Sequence, residues 1–312
     1  MATAGCNCNG RIGNTGYPGV KPFGVTAGLY MMPILANDGT RNGIDLTSVD
    51  LGQALLDGIN NPDPSKRIYP FNNLRNVTFE EADPNFETAD NGERFKTRNG
   101  IKTVTFEAWG VNEQFFAKAS ENCVNFGIFL VDVCGNVKGQ LEEALDLLAP
   151  RPVNQYSFFA KYMDATADTG AKVMFSMDYS LLTSDGGQWM IPDSLLSPFS
   201  ALELNGLIDV TFDITVNSAT EIEFQANYEY GNAVNRLPWR GAALADFALF
   251  NQTTNLAVTP SAVVESAVTP GLYTLTFPAQ TAADVVALSA FRAASGNLVN
   301  GFEGESTTFV AQ

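Results

Sequence analysis

Residues 86–109 read FETADNGERFKTRNGIKTVTFEAW, and this stretch predicts a β-hairpin system around which the chain is organised. Turn chemistry stands at residues 90–92 (DNG) and 99–100 (NG), because Gly and Asn accept the positive φ angles that tight hairpin turns require. After the second turn, Val104 and Phe106 alternate with polar residues, as on a strand with one buried face. We interpret the hairpin as a projecting element that meets another subunit.

Basic side chains alternate along the strand between the two turns: Arg94, Lys96 and Arg98. Alternation predicts that all three charges leave the same face of the strand. Two interpretations are open at this point. The cations either protect a solvated hairpin edge against aggregation, or they dock onto an acidic surface of a neighbouring copy. Lys102 and Trp109, in the strand that follows, complete the predicted interface.

The composition excludes several classes of function. The chain of 312 residues has a formal net charge of -16, which argues against tight binding of DNA or an anionic membrane, although DNA can pass such a surface without binding. It contains no histidine, which removes Ser-His-Asp and Cys-His catalysis and HExxH zinc sites. We therefore expect no enzymatic activity, no cofactor and no metal. We also expect no secretory signal and no membrane anchor, since no apolar run reaches roughly 18 residues.

Turn signals and changes in composition divide the chain into three parts. Residues 1–24 are an extended arm rich in Gly, Asn and Pro, residues 25–202 form a first domain, and residues 203–312 form a second. Short strands with regularly spaced turn signals in the last part are typical of an immunoglobulin-like β-sandwich. The Cys…Trp…Cys pattern of antibody domains is missing from it.

The first domain is predicted to be mainly β with short helices. Thr47–Ile59 is predicted to be a helix with a capping-box signal at Thr47 and Asp50, and its apolar stripe is assigned to the core rather than to a partner groove. A second helix is predicted at Asn112–Glu121, while Gln140–Leu148 fits either a helix or a loop with one turn. The predicted strands are Val25–Leu35, Phe126–Val133, Tyr156–Asp164 and Lys172–Leu181.

Four cysteines leave three chemical states open. Cys6 and Cys8 form a Cys-x-Cys pair, whereas Cys123 and Cys134 are scattered, so the spacing does not match the knuckles of a structural zinc site. Unpaired thiols are the expected state in a reducing compartment, with a metal site and a disulfide as the alternatives. Two pairs of adjacent carboxylates give no facing acid–base pair: Glu80-Glu81 and Glu142-Glu143.

Several runs of the chain, taken in order, are similar to one family. They are NTGYPG, MMPILANDGTRNGIDL, NPDPSKR, ETADNGERFKTRNGIKTVTFEA, FGIFLVDVCGNVKG, KVMFSMDYSL, ADFALFN and YTLTFPAQ. In this order they resemble structural tail proteins of crAss-like and related phages of gut Bacteroidetes. The resemblance extends over nearly the whole chain. It rests on the residue composition of these runs and on their order along the chain rather than on a catalytic motif.

The resemblance implies a tail ring, hub or tube protein, which is a non-enzymatic virion component assembled in the host bacterial cytoplasm. Its expected fold is mainly β: a tail-tube-like β-sandwich or barrel with a flanking helix and a long β-hairpin, plus a C-terminal immunoglobulin-like β-sandwich. Residues 25–202 would form homo-oligomeric rings of about six or twelve copies. Other tail or head–tail connector proteins would be partners, and DNA would pass through. The hairpin would join neighbouring copies, beside Thr47–Ile59 or Asn112–Glu121 as flanking helix.

Two other functions compete with this expectation. A surface-binding module, or adhesin-like tail decoration, would use the C-terminal domain to bind a glycan or a host protein. Its sequence support is a set of aromatic residues expected to be exposed, such as Tyr228 and Trp239. A carboxylate-based hydrolase would instead need two facing carboxylates in a cleft.

Overall fold

The computed structural model is mainly β, with 50% strand, 9% helix and curled sheets. This confirms the predicted fold class at the level of mainly β. The chain divides into two compact units between Asn205 and Gly206, where the sequence analysis placed the division after residue 202. The structure describes residues 23–109, 125–180, 187–228, 236–294 and 301–312. The predicted helix Asn112–Glu121 and nearly all of the predicted arm 1–24 lie outside these residues.

Fourteen described strands make up the first unit. They are β1 (Thr26–Pro33), β2 (Ile44–Asp45), β3 (Tyr69–Phe71), β4 (Leu74–Glu81), β5 (Asn85–Thr88), β6 (Arg94–Arg98), β7 (Lys102–Trp109), β8 (Phe126–Asp132), β9 (Val137–Glu142), β10 (Leu147–Ala149), β11 (Arg151–Pro152), β12 (Phe159–Met163), β13 (Lys172–Asp178) and β14 (Gln188–Ile191). An eight-stranded sheet runs in the order β2-β10-β9-β8-β1-β3, with β11 paired to β8 and β14 to β9. A four-stranded sheet has the order β12-β13-β7-β4, and β5 and β6 form a separate pair.

One buried cluster lies between the eight-stranded and the four-stranded sheet. Alternate residues of β7 and β13 belong to this cluster, including Phe106 and Phe175, whose rings stack with centroids 5.1 Å apart. The larger sheet contributes Leu29 of β1 and Ile128 of β8. All seven residues of β8 are buried, as expected for a strand covered on both faces. The strands predicted at Val25–Leu35, Phe126–Val133, Tyr156–Asp164 and Lys172–Leu181 are therefore confirmed in type, with shorter bounds.

The one α-helix in the described part of the chain is α1 (Leu51–Ile59). It begins four residues later than predicted, because Asp50 is the N-cap and accepts a hydrogen bond from the backbone N–H of Gln53 at 2.9 Å. Thr47 instead donates through its N–H and hydroxyl to the carboxylate of Asp45 in a local turn. The predicted apolar stripe is buried at Gly52, Leu55, Leu56 and Ile59. The stripe was also expected to include Val49, and this is wrong, because Val49 precedes the helix and is exposed.

The segment Gln140–Leu148 is not a helix. It contains the end of β9, a single 3-10 turn at Glu143–Leu145 and the start of β10. Asp146 ends that turn in the left-handed region at φ +50°, and Leu148 then pairs with Leu141 across the two strands. Cross-strand pairing overrides the helical spacing of the leucines, and the alternative of a loop with one turn is the correct one.

The second unit contains eight described strands. They are β15 (Ile208–Asn217), β16 (Glu221–Tyr228), β17 (Phe247–Asn251), β18 (Leu256–Val258), β19 (Ala262–Glu265), β20 (Leu272–Thr276), β21 (Val285–Arg292) and β22 (Phe302–Val310). They share one hydrogen-bonded path, β18-β17-β21-β22-β15-β16-β20-β19, in which β15 and β22 are parallel. An immunoglobulin sandwich has two separate sheets, so the strand path observed here differs from that pattern.

Candidate functional site

The predicted hairpin exists as one long arm made of two consecutive pairs of strands. At its base, β4 pairs with β7 from Leu74 opposite Ala108 to Glu81 opposite Lys102. Beyond this ladder, β5 pairs with β6 in a two-stranded sheet of their own. We call the outer pair, β5 and β6 with their connecting turn (residues 85–98), the ribbon.

The turn at the tip of the ribbon matches the prediction. Gly92 has a φ angle of +85°, which an L side chain rarely adopts. The N–H of Gly92 donates to the carbonyl of Ala89, and the N–H of Glu93 donates to the side-chain oxygen of Asn91 at 3.0 Å. The sequence DNG therefore closes the hairpin by the predicted turn chemistry.

The second predicted turn, Asn99-Gly100, is wrong as a hairpin turn. β6 and β7 belong to different sheets and do not pair. Instead, the chain crosses here from the ribbon back to the base of the arm, where the N–H of Ala82 donates to the carbonyl of Ile101 at 2.9 Å. A Cβ on Gly100 would collide with the carbonyl oxygen of Ala82. Glycine is needed at this position for close backbone approach, not for a positive φ angle.

Both strands of the ribbon are exposed to solvent. Every residue of β5 and β6 is exposed, including two phenylalanines, Phe86 at 49% and Phe95 at 54% of their accessible area. Phe79, further down the arm, is 51% exposed. Exposed aromatic side chains concentrated in one short segment are typical of surfaces that bind a partner.

One face of the ribbon combines cations with an aromatic ring. Lys96 stands opposite Phe86, and Arg94 stands opposite Thr88, so these four side chains share a face. The guanidinium of Arg94 lies 4.7 Å from the ring centroid of Phe86, within the range of a cation–π contact. We call this the basic face. It contains no carboxylate, whereas the opposite face pairs Phe95 with Glu87.

Arg98 does not continue the alternation of Arg94 and Lys96. The register shifts between Asn85, which lies opposite Arg98, and Phe86, which lies opposite Lys96. Thr97 is thus an extra residue in β6, and such a bulge changes the face on which the following side chain lies. The prediction that three cations share one face holds for Arg94 and Lys96 only.

Lys102 and Trp109 make contacts inside the first unit. Lys102 lies 3.6 Å from the carboxylate of Glu81. The ring of Trp109 is half-buried between two cations, with Arg75 at 5.0 Å and Lys172 at 5.6 Å from the ring centroid. Both predicted interface residues therefore hold the base of the arm together, while the basic face of the ribbon is left open.

Glu107 is the centre of the contacts around Trp109. Its carboxylate accepts hydrogen bonds from Lys172 at 2.6 Å, from Asn76 at 2.8 Å and from the indole N–H of Trp109 at 3.3 Å. Burial by itself raises the pKa of Glu107, but these hydrogen bonds outweigh it and leave the pKa below its ordinary value of 4.5. The group is therefore a carboxylate at neutral pH and ties β4, β7 and β13 together.

An open cleft of about 410 Å³ lies in the first unit, at the point where the ribbon joins the rest of the arm. It is lined by Arg98 and Ile101 of the arm and by Tyr156, Asp178 and Tyr179 of the body. Sequence reasoning did not identify this cleft. Arg98 points towards the cleft because of the bulge at Thr97, and a bulge can be recognised only when the pairing register of the strands is known.

The aromatic residues behind the surface-binding alternative are not exposed. Trp239 is fully buried, with ring centroids of Phe302 at 5.3 Å and Phe247 at 5.7 Å. Tyr228 is half-buried and stacks on Phe302 at 5.8 Å. These residues form the core of the second unit, so the expectation that they are exposed is wrong.

The cysteine and carboxylate predictions have mixed outcomes. Cys134 is disulfide-bonded, so the expectation of unpaired thiols is wrong for this residue, and the other three cysteines lie outside the described residues. Within the described ranges, no cluster of three or more Cys, Asp or Glu side chains is arranged to hold a metal ion. Of the adjacent carboxylates, Glu81 pairs with Lys102 and Glu142 pairs with Arg41 at 3.1 Å.

No helix among the described residues is long and apolar enough to cross a membrane. Comparisons of the chain with protein families, with curated proteins and with solved structures gave no match.

Proposed function

We propose that this chain is a non-enzymatic structural protein of a phage tail, which assembles into an oligomeric ring or tube through which DNA passes. The observation that carries the proposal is the ribbon, whose strands are exposed at every residue. An isolated pair of strands is marginally stable in water. When such a pair is held away from the core, a second surface that covers the pair stabilises it. Assembly with another copy supplies that surface.

The chemistry of the basic face supports a second copy of the chain as the partner. Arg94, Lys96 and Phe86 present two cations around an exposed ring, and Arg and aromatic residues are enriched at the centre of protein interfaces. The chain carries 34 acidic against 18 basic residues, so another copy offers many carboxylates. Because the ribbon would contact a different surface on its neighbour, the contact is heterologous and closes into a ring or stacks into a tube.

The acidity of the chain supports the role of DNA conduit. A net charge of -16 per copy repels phosphate, so DNA can slide through a ring without binding to its wall. Assembly in the host bacterial cytoplasm, a place in the virion and contacts with other tail or connector proteins belong to the same proposal. Together with the similarity of the sequence runs to phage tail proteins, they form one consistent assignment.

The finer description of the fold is also part of the proposal. The first unit is assigned as a tail-tube-like domain, with α1 as its flanking helix and the arm as its long β-hairpin. The second unit is assigned as an immunoglobulin-like domain whose strands join in one hydrogen-bonded path rather than in two separate sheets. Supporting this are its short strands around an aromatic core, in which Phe224 contacts Phe212 at 5.4 Å and Phe247 at 5.5 Å.

Electron microscopy and sedimentation of the purified protein test the proposal. We expect rings or stacked tubes for the wild type, and weaker assembly for the double variant R94E/K96E. The defect should be larger at low salt than at high salt, because salt already screens exposed charges. K161E, which changes an exposed cation of β12 outside the arm, is the matched control and should assemble normally. A wild type that remains monomeric, alone and with tail partners, contradicts the proposal.

A further inference from the structure

Two cations, Arg98 and Arg151, and one carboxylate, Asp178, lie in or directly behind the cleft at the base of the ribbon. Arg98 lines it and has no carboxylate partner among the described residues. Asp178 supplies the one carboxylate of the lining, and one oxygen of that carboxylate accepts a hydrogen bond from the hydroxyl of Thr103 at 2.6 Å. The remaining polar lining, including Asn154, offers hydrogen-bond donors.

A second cation stands behind the wall of the cleft. Arg151 is 5% exposed, and its guanidinium lies 4.1 Å from the ring centroid of Tyr179, which lines the cleft. One of its amino groups donates to the hydroxyl of Tyr179 at 3.2 Å. Its Nε has no acceptor, and in the described part of the chain no carboxylate pairs with it. A buried cation without a counter-ion is costly, so an anion nearby would stabilise the fold.

The hydroxyl of Tyr179 links the lining of the cleft to Arg151. It accepts the hydrogen bond from Arg151, while its own proton has no acceptor among the described residues. Burial raises the pKa of Tyr179 to about 12, with the charge of Arg151 acting in the opposite direction. The phenol therefore stays protonated at neutral pH, and the adjacent guanidinium makes it a stronger donor.

We infer that the cleft binds a carboxylate side chain from a second copy of the chain, held between Arg98 and the hydroxyl of Tyr179 with Arg151 behind it. This inference rests on the proposed assembly and adds a second contact at the base of the ribbon, separate from the basic face. A carboxylate suits the site because it accepts hydrogen bonds from a guanidinium and a phenol at once. The excess of acidic residues on the neighbouring copy makes such a group available.

Two substitutions test the contact by sedimentation. R98A removes the exposed cation, and Y179F removes only the hydroxyl and keeps the ring against Arg151. Each should raise the concentration at which the protein half assembles by about tenfold, the effect of losing one charge-assisted contact. K161A is the matched control for R98A, since Lys161 is also an exposed cation of the first unit without a carboxylate partner among the described residues. It should leave that concentration unchanged.

Carbodiimide coupling identifies the partner group directly. In the R98K variant, the new amine should couple to an aspartate or glutamate of another copy, which mass spectrometry detects in assemblies mixed from isotope-labelled and unlabelled protein. Coupling only to Asp178 of the same copy, or assembly by R98A and Y179F equal to that of the wild type, would overturn the inference while the proposed function stands. A wild type that never assembles would remove both.

Discussion

The strands β6 and β7 are neighbours in sequence and have opposite environments. Both alternate in residue type, but β7 buries Val104, Phe106 and Ala108 between two sheets, whereas β6 has no buried residue. In β7, alternate side chains point into the core, and those between them form a polar face. Alternation in β6 separates a basic face from a face that contains Phe95 and Glu87. The same alternating pattern therefore builds part of the core where a second sheet covers the strand, and leaves both faces exposed where no sheet of the unit covers it.

The largest expected effect is on the buried strand. F106A removes a ring that is 2% exposed and stacked on Phe175, so the free energy of unfolding of the first unit should fall by about 3–5 kcal/mol. Hydrogen exchange of the most protected amides of β7 and β13 measures this loss. A loss below about 1 kcal/mol would show that β7 is not part of the core.

A smaller effect is expected where the ribbon joins the base of the arm. G100A places a Cβ against the carbonyl of Ala82, so the backbone must shift, at a cost of about 1–3 kcal/mol. G92A is the matched control at the tip of the ribbon, where nothing lies within 4 Å but φ is +85°. It should cost about 1 kcal/mol from backbone strain alone. Hydrogen exchange of the β4 and β7 amides compares the two, and equal costs would contradict the close approach at Gly100.

The next effect is on the polar side of β7 and depends on pH. The pKa of Glu107 is lower in the folded protein than in the unfolded chain, so its contribution to stability is present above pH 4.5 and is lost as the pH falls through the folded value. At pH 7, E107Q should therefore be less stable than the wild type by about 1 kcal/mol. The difference should shrink as the pH is lowered below 4.5 and through the folded pKa. Urea unfolding of both proteins at each pH measures it, and a difference independent of pH would contradict the assignment.

The smallest effect on stability is expected on the ribbon. F95A removes a ring that is 54% exposed, so the free energy of unfolding should change by less than about 0.5 kcal/mol. Assembly should nevertheless weaken, because Phe95 belongs to the ribbon, and we expect a neighbour to cover both faces of the ribbon. Sedimentation beside thermal unfolding separates the two effects. A large loss of stability without any change in assembly would place Phe95 in the core rather than at an interface.

The sequence predicted local features well and pairings poorly. The alternation in β7 and β13, the turn at Gly92 and the apolar face of α1 follow from propensities within a few residues of each other. The separation of β6 from β7, the bulge at Thr97 and the close approach at Gly100 depend on which strands pair and in which register, and no local pattern encodes that. The burial of Trp239 likewise depends on how the strands of the second unit pair and pack around it.

We propose that a second copy of the chain covers the ribbon in the assembled particle. Amide hydrogen exchange of residues 85–98, measured in dilute monomer and in assembled particles of the same protein, tests it most directly. We expect rapid exchange of β5 and β6 in the monomer and strong protection in the particle, while β7 is protected in both. Exchange of β5 and β6 that remains as rapid in the particle as in the monomer would contradict it.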